Sequence, residues 1–334
     1  MPPATWPLRP DDLLRARQRL EGRVHHTPLL HSRLLDLRLG RRVFLKAESF
    51  QRGGSFKARG AFNALLAALE EGDTRPVVAV SSGNHGQAVA LAASELGIPA
   101  TVVMPEDSSP VKVAAVRAYG ARVVTEGVTG TNREQVATDL ASQLGLRLVH
   151  PHNDPLVIAG QATLAAELSS QLEPLGVDPA AVLAPLGGGG LLAGLCLGAA
   201  EHLPGVQVVG VEPESADDGA QSLAKGELVT LARPPVTAAD GVRTLHLGSL
   251  CWEVIRERTA SVLTVTEAEL AEACWWLFTR LKLVVEPTGA LAVASLLRDP
   301  GRIAGGGDLV CVLSGGNCLP SQISQLISEH PPTD

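Results

Sequence analysis

Four clusters in this chain combine residue types that could do chemistry. Lys57 stands in the segment LKAESFQRGGSFKARGAFN, behind Gly53-Gly54-Ser55 and at the head of an Ala-rich helical run. A lysine in the first turn of a helix feels the positive end of the helix dipole. That lowers its pKa and favours the neutral amine that condenses with a carbonyl to a Schiff base. Ser55 is the expected N-cap. Gly187-Gly188-Gly189-Gly190, in VLAPLGGGGLLAGL, lies between an apolar strand and a helix. Without Cβ atoms the backbone can close on a phosphate, which the helix N-terminal N–H groups then hold. The run is not GxGxxG followed by a ribose-binding acid, so a nicotinamide site is disfavoured.

The third cluster, Ser81-Ser82-Gly83-Asn84-His85-Gly86-Gln87, gathers hydroxyl, amide and backbone donors ahead of another helix and suits a substrate carboxylate. The fourth, Leu313-Ser314-Gly315-Gly316-Asn317, follows the strand-like Leu309–Val312. A hydroxyl there can hydrogen-bond the nitrogen of a heteroaromatic ring lying over these joints. No carboxylate is at hand to force that nitrogen to protonate. Taken singly, each cluster also has a structural reading: a solvated lysine, a tight turn, ordinary capping.

The elements that must position these clusters follow from periodicity. Short β-branched runs alternate with longer Ala/Leu-rich runs of helical period, which predicts an α/β chain around mainly parallel sheets. Val77–Val80 precedes the helix Gln87–Leu96, Ala181–Ala184 precedes Leu191–His202, and Val206–Val211 is a further strand. Joints of this kind lie at the carboxyl ends of parallel strands, where open α/β sheets bind ligands. Clusters of Pro, His, Asn and Asp near 76–80 and 150–155 predict changes of domain there.

The chain has 334 residues, 45% of them hydrophobic, enough for a large core and about two domains by length. Its net charge of −7 is scattered instead of gathered into basic runs, which argues against a nucleic-acid partner. Five cysteines form no CxxC pair and sit mostly in apolar runs, as in a reducing cytoplasm. No segment reads as a signal peptide or a membrane span.

Together, SFKARGA, SSGNHGQA, HNDPLVIAGQ, PLGGGGLLAG, VEPESADD, ADGVRT, VEPTGA and LSGGN occur in order from residue 55 to 317. In this register the chain resembles the threonine/serine dehydratases of the tryptophan-synthase-β-like fold, the fold type II pyridoxal-phosphate (PLP) enzymes, with serine racemase as nearest cousin. The resemblance spans nearly the whole chain. It implies two open twisted sheets with the cofactor in the cleft between them: a large domain of residues 1–76 and 154–334, and a small one of 77–153. Too few residues follow LSGGN for a C-terminal regulatory domain.

Residue by residue, the resemblance implies that Lys57 carries the cofactor, Phe56 packs beside its ring and Asn84 donates to its phenolic oxygen. Gly187, Gly188, Gly189 and Gly190 would hold the phosphate and Ser314 the ring nitrogen. Ser81, Ser82, Asn84 and His85, with Arg133, would meet the substrate carboxylate, and Asp240 would lie near the substrate side chain. VEPESADD resembles the divalent-cation site of these enzymes, with Glu212, the Ala216 carbonyl and Asp218 as ligands; such hard oxygens suit Mg²⁺ or Ca²⁺. The expected reaction is abstraction of the α-proton of a small hydroxy-amino acid by Lys57, then loss of the β-hydroxyl, ending in a 2-oxo acid and ammonia. A homodimer or larger homo-oligomer is implied.

Three alternatives stay open at this stage. Ser82 would stand on the substrate face opposite Lys57, where racemisation needs a second acid/base, and many dehydratases of the family have Ala there. A dehydratase for hydroxyaspartate would need an extra cation near the β-carbon; His152, in HPHNDP, replaces the Phe of the familiar threonine-dehydratase motif. A non-catalytic amino-acid or PLP carrier is opposed by an intact Lys57 with all three joints present.

Overall fold

The computed structural model describes residues 8–81, 83–108, 110–297 and 299–332. Its strands are, in chain order, β1 (Leu29–His31), β2 (Val43–Ala47), β3 (Val77–Val80), β4 (Ala100–Val103), β5 (Arg122–Val124), β6 (Arg147–Val149), β7 (Pro179–Pro185), β8 (Gln207–Pro213), β9 (Ser261–Val265) and β10 (Asp308–Leu313). They form a six-stranded sheet in the order β1-β2-β10-β7-β8-β9 and a four-stranded sheet in the order β5-β4-β3-β6. Apart from the antiparallel β1 on β2, the pairings are parallel. The architecture is the α/β class expected, with two mainly parallel sheets.

The strand order locates the functional end. From β7 the chain steps outward to β8 and β9, then returns to lay β10 on the other side of β7. Likewise β3 steps to β4 and β5 before β6 comes back to its far side. Crossovers that leave a strand in opposite directions open a crevice at its carboxyl end. The loops over these two crevices are 186–190 after β7, 314–317 after β10, Ser81 and Gly83 after β3, and 150–154 after β6. The glycine and Ser314 joints lie in them, and the joint after β3 runs on into the first turn of helix Asn84–Leu96.

The elements follow their sequences closely. Val77–Val80 is β3 and is wholly buried, as a short apolar run with helices on both faces should be. The helix expected from Gln87 begins at Asn84, because its polar first turn carries no apolar period. The strand read as Val206–Val211 runs from Gln207 to Pro213, since Glu212 and Pro213 still pair with Thr264 and Val265. Ser55 is not the cap of the helix Lys57–Glu70. An antiparallel bridge to Gly315 holds it extended, Phe56 takes the N-cap position without a side-chain bond, and the buried Ser55 Oγ has no hydrogen-bond partner among the described residues.

One helix fixes the Lys57 segment from behind. Helix Pro155–Leu172 crosses Lys57–Glu70 so closely that a Cβ on Gly160 would stand 2.5 Å from the Arg59 carbonyl oxygen. Beside this crossing, the Arg59 guanidinium donates to both Glu48 oxygens and to Glu167, each at 2.8 Å, and Lys46 of β2 also binds Glu167. Lys46, Glu48 and Arg59 are almost fully buried. Two cations against two carboxylates leave no net charge, and removing one member would cost about 3–5 kcal/mol by stranding its partner. The network ties β2, the Lys57 helix and helix Pro155–Leu172 into one rigid mount. Among the described residues no helix is long and apolar enough to cross a membrane.

Candidate active site

Lys57 lies in the first turn of its helix, and its Nζ donates to the Pro151 carbonyl oxygen at 2.7 Å. Burial pushes its pKa from 10.5 down to about 8. The dominant cause is desolvation of the ammonium, more than the helix dipole that the sequence suggested. The Nζ stands 5.0 Å from the centre of the Phe56 ring. It is also close enough to His85, His150, His152 and Cys251 to shift each of them electrostatically. One amine thus lies within electrostatic reach of the head of helix Asn84–Leu96, the loop after β6 and the start of helix Ser249–Arg258.

The imidazoles around it are uncharged at neutral pH. Burial drives His85 down to about 3, and its Nε2–H donates to the Val149 carbonyl at 2.9 Å while Nδ1 is left without a partner among the described residues. His150 Nδ1 accepts the N–H of Asn153 at 2.8 Å, which places its proton on Nε2. His152, also buried, falls well below its ordinary value. His152 is therefore not the cation that a second substrate carboxylate would require.

The glycine loop is shaped against His152. A Cβ on Gly188 would lie 2.3 Å from the His152 ring, one on Gly190 2.9 Å from His152 Cβ, one on Gly187 2.9 Å from Val242 Cα and one on Gly189 2.7 Å from Cys251 Cβ. Gly189 also has a φ of +93°, open to glycine at little cost. Helix Gly190–His202 starts here, so its first N–H groups have no intrahelical acceptor and point out of the loop. On the other side of β7, Ser314 is buried at the end of β10, and its carbonyl accepts the Phe56 N–H at 3.1 Å. That bond sets the Lys57 segment directly on the Ser314 loop.

Asn84 heads its helix at the joint after β3. Its Nδ2 donates to Glu286 Oε1 at 2.7 Å, and its Oδ1 accepts from Asn317 Nδ2 at 2.9 Å, so two side chains of the larger sheet's loops fix its amide plane. Ser81 Oγ accepts the Gly83 N–H at 3.0 Å and shapes the turn. Asp240 binds Lys112, which reaches over from helix Pro110–Ala118. Arg133 opens helix Arg133–Leu144 beside Glu134, whose charge acts on His150. Ser82 lies outside the described residues.

Reading the motifs one at a time gave no role to Glu286, Asn317, Lys112, His150 or Pro151. Glu286 is buried, and desolvation followed by the charge of Asp240 pushes its pKa up to about 8. A lone acid in the apolar stretch LVVEPTGAL was the available signal. Lys112 carried none, because nothing near it in sequence points to Asp240.

Away from this cleft, Glu212 accepts the N–H groups of Gly219 and Ala220 at 3.1 and 2.9 Å. Both oxygens of Asp218 are buried without a partner among the described residues, and burial lifts its pKa to about 7. Ala216 is buried in the turn between them. Among the described residues no three His, Cys, Asp or Glu side chains converge as a metal cluster.

Comparison with known proteins agrees with this geometry. The family model described as "pyridoxal-phosphate dependent enzyme" matches residues 20–315. An L-threo-3-hydroxyaspartate ammonia-lyase of Saccharomyces cerevisiae is 43% identical over 96% of this chain and 98% of its own length. A solved threonine deaminase of T.th. is 52% identical with a TM-score of 0.89, covering 93% of this chain and 99% of that one. Maize serine racemase is 35% identical with a TM-score of 0.88, over 96% and 97% of the two chains. With the match running from before β1 to the Ser314 loop, the chain belongs to the fold type II family of pyridoxal-phosphate-dependent enzymes.

Proposed function

We propose that this chain is an ammonia-lyase that removes the β-hydroxyl and then the amino group of a small hydroxy-amino acid, L-threonine, L-serine or 3-hydroxyaspartate, to release a 2-oxo acid and ammonia. The observation that carries this reading is Lys57: an amine with its pKa drawn down to about 8, fixed by Pro151 where the loops of both sheets meet. The relatives named above act, by their names, on such amino acids.

The residues present fit the cofactor. Lys57 would hold it covalently, Gly187, Gly188, Gly189 and Gly190 its phosphate, Ser314 its ring nitrogen and Asn84 its phenolic oxygen, with Phe56 alongside. Pyridoxal phosphate supplies an electron sink for the charge left when a bond to the α-carbon breaks. Lys57, whose lowered pKa puts part of it in the neutral form near pH 7, would take the α-proton. Ser314 would offer the ring nitrogen a hydroxyl instead of a carboxylate as its partner, which would favour departure of the β-hydroxyl. The donors of Ser81, Asn84 and the His85 backbone, with Arg133, receive the α-carboxylate. The His85 imidazole, bound to Val149, stays out of it. Ser82 keeps its role as carboxylate ligand, or as second acid/base for racemisation, on sequence grounds.

In this reading residues 77–153 form a small substrate-side domain and residues 1–76 with 154–334 the large one. Glu212, the Ala216 carbonyl and Asp218 hold Mg²⁺ or Ca²⁺, and the protein assembles as a homodimer or larger. The test is 2-oxo acid release from each of the three amino acids by the holoenzyme and by Lys57→Ala. Turnover confined to the parent enzyme is expected; an unchanged rate in Lys57→Ala would overturn the reading.

A further inference from the structure

Among the described residues, Lys112 is a cation at the cleft whose role the reaction does not explain. Lys112, on helix Pro110–Ala118 beside the four-stranded sheet, crosses to Asp240 in the turn Asp240–Val242 of the other unit. Both ends of this pair border the site. Lys112 Nζ lies 4.0 Å from where a Cβ on Gly83 would sit, inside the carboxylate loop, and Val242, two residues after Asp240, lies against Gly187 of the phosphate loop. The pair is not sealed in, with 20% and 30% of the two side chains left to solvent.

We propose that Lys112 selects the substrate: it receives a side-chain carboxylate on the β-carbon and so favours hydroxy-dicarboxylic amino acids over serine and threonine. This rests on the ammonia-lyase reading above. An ammonium has three donors, of which Asp240 uses one, so Lys112 can keep that contact and still meet a second carboxylate. Other groups nearby are unsuited. His85, His150 and His152 are held uncharged by burial. Arg243 spends its Nε and one terminal nitrogen on the Thr237 carbonyl, and Lys57 is needed as the base. Asp240 then has a defined effect: it anchors Lys112 over the cleft and, as a like charge, moderates the pull on an incoming dicarboxylate.

Substitutions at the two ends should act in opposite directions. L-Aspartate and L-alanine bind without a β-hydroxyl to lose, so their affinities can be read from the visible absorbance of the holoenzyme without turnover. Lys112→Gln should lower the ratio of aspartate to alanine affinity about 10- to 100-fold, the range expected when a hydrogen bond to a charged group is lost. Asp240→Asn should raise it. In parallel, kcat/KM for 3-hydroxyaspartate relative to serine should follow the same two directions, mainly through KM.

If Lys112 serves the α-carboxylate, or the pair is only a clamp between the units, both ligands shift together and the ratio stays constant; that result overturns the proposal. Should Lys112→Gln fail to fold, Asp240→Asn alone decides, and a ratio that falls or holds sinks the idea. A parent enzyme that forms no 2-oxo acid from any of the three amino acids refutes the ammonia-lyase reading instead, while one active on serine or threonine but unable to use 3-hydroxyaspartate refutes only the role of Lys112.

Discussion

The Lys57 ammonium and the Pro151 carbonyl meet at 2.7 Å across the cleft. Lys57 hangs from the segment after β2, in the six-stranded sheet, and Pro151 follows β6, in the four-stranded one. One hydrogen bond therefore joins the two units at the proposed reacting centre, and any change in their separation is felt at the amine.

Protonation of Lys57 sets the pH dependence of cofactor uptake. A pKa of about 8 leaves roughly one lysine in ten neutral at pH 7, where an ordinary lysine would have fewer than one in a thousand. Because only the neutral amine is nucleophilic, the rate at which the apoprotein takes up pyridoxal phosphate should rise with pH and level off a little above 8. Rapid-mixing absorbance across pH 6 to 10 would show it. A rate still climbing at pH 10 would mean that the amine is not desolvated.

Gly188 offers a steric test. A methyl group there would stand 2.3 Å from the His152 ring, so Gly188→Ala must displace the imidazole or the loop, at a cost of about 1–3 kcal/mol. Pyridoxal phosphate should dissociate at least tenfold more readily, as measured by equilibrium dialysis. His152→Ala added to Gly188→Ala should restore part of the affinity. Strict additivity of the two substitutions would show that ring and loop are not coupled.

What could be read from the chain was whatever is local. The Gly- and Ser-rich joints lie at strand ends, and there Gly187 to Gly190, Ser81, Asn84 and Ser314 mark themselves by residue type. Lys57 was legible because its helix start and glycines are neighbours in sequence. The Asn84–Glu286 bond joins residues 202 positions apart and the Lys112–Asp240 pair residues 128 apart. Contacts like these exist only once the two crossovers have closed their crevices, and no pattern in either partner announces the other. The Ser55 cap failed for the same reason: a bridge to Gly315, far along the chain, overrode a local preference.

Glu286 gives a pH dependence of known sign. Its folded pKa of about 8 exceeds the ordinary 4.5, so the folded protein keeps a proton that the unfolded chain releases between these values. Stability from this group is complete below about pH 4.5 and declines as pH rises to about 8. Glu286→Gln mimics the protonated carboxyl and removes the decline. Urea unfolding at several pH values should show Glu286→Gln gaining on the parent from pH 5 to pH 8, by an amount on the order of a kcal/mol or more. A gap that does not change with pH would place the ionised carboxylate in the folded state.

The cation proposed at Asp218 can be tested through stability. Both of its oxygens are buried without a hydrogen-bond partner among the described residues, and Glu212 beside it accepts the Gly219 and Ala220 N–H groups. Stranding two carboxylates in this way is costly unless a hard cation neutralises them. Ca²⁺ or Mg²⁺ at a hundred times its dissociation constant should then stabilise the protein by about 2.7 kcal/mol, a rise of several degrees in Tm. Excess EDTA should reverse the rise, and Asp218→Asn should abolish the response while leaving a folded protein. Calorimetry in calcium, in magnesium and in EDTA measures all of this. Identical Tm values for the parent in the three conditions would remove the cation from the acid pair and leave the Asp218 carboxyl protonated in its place.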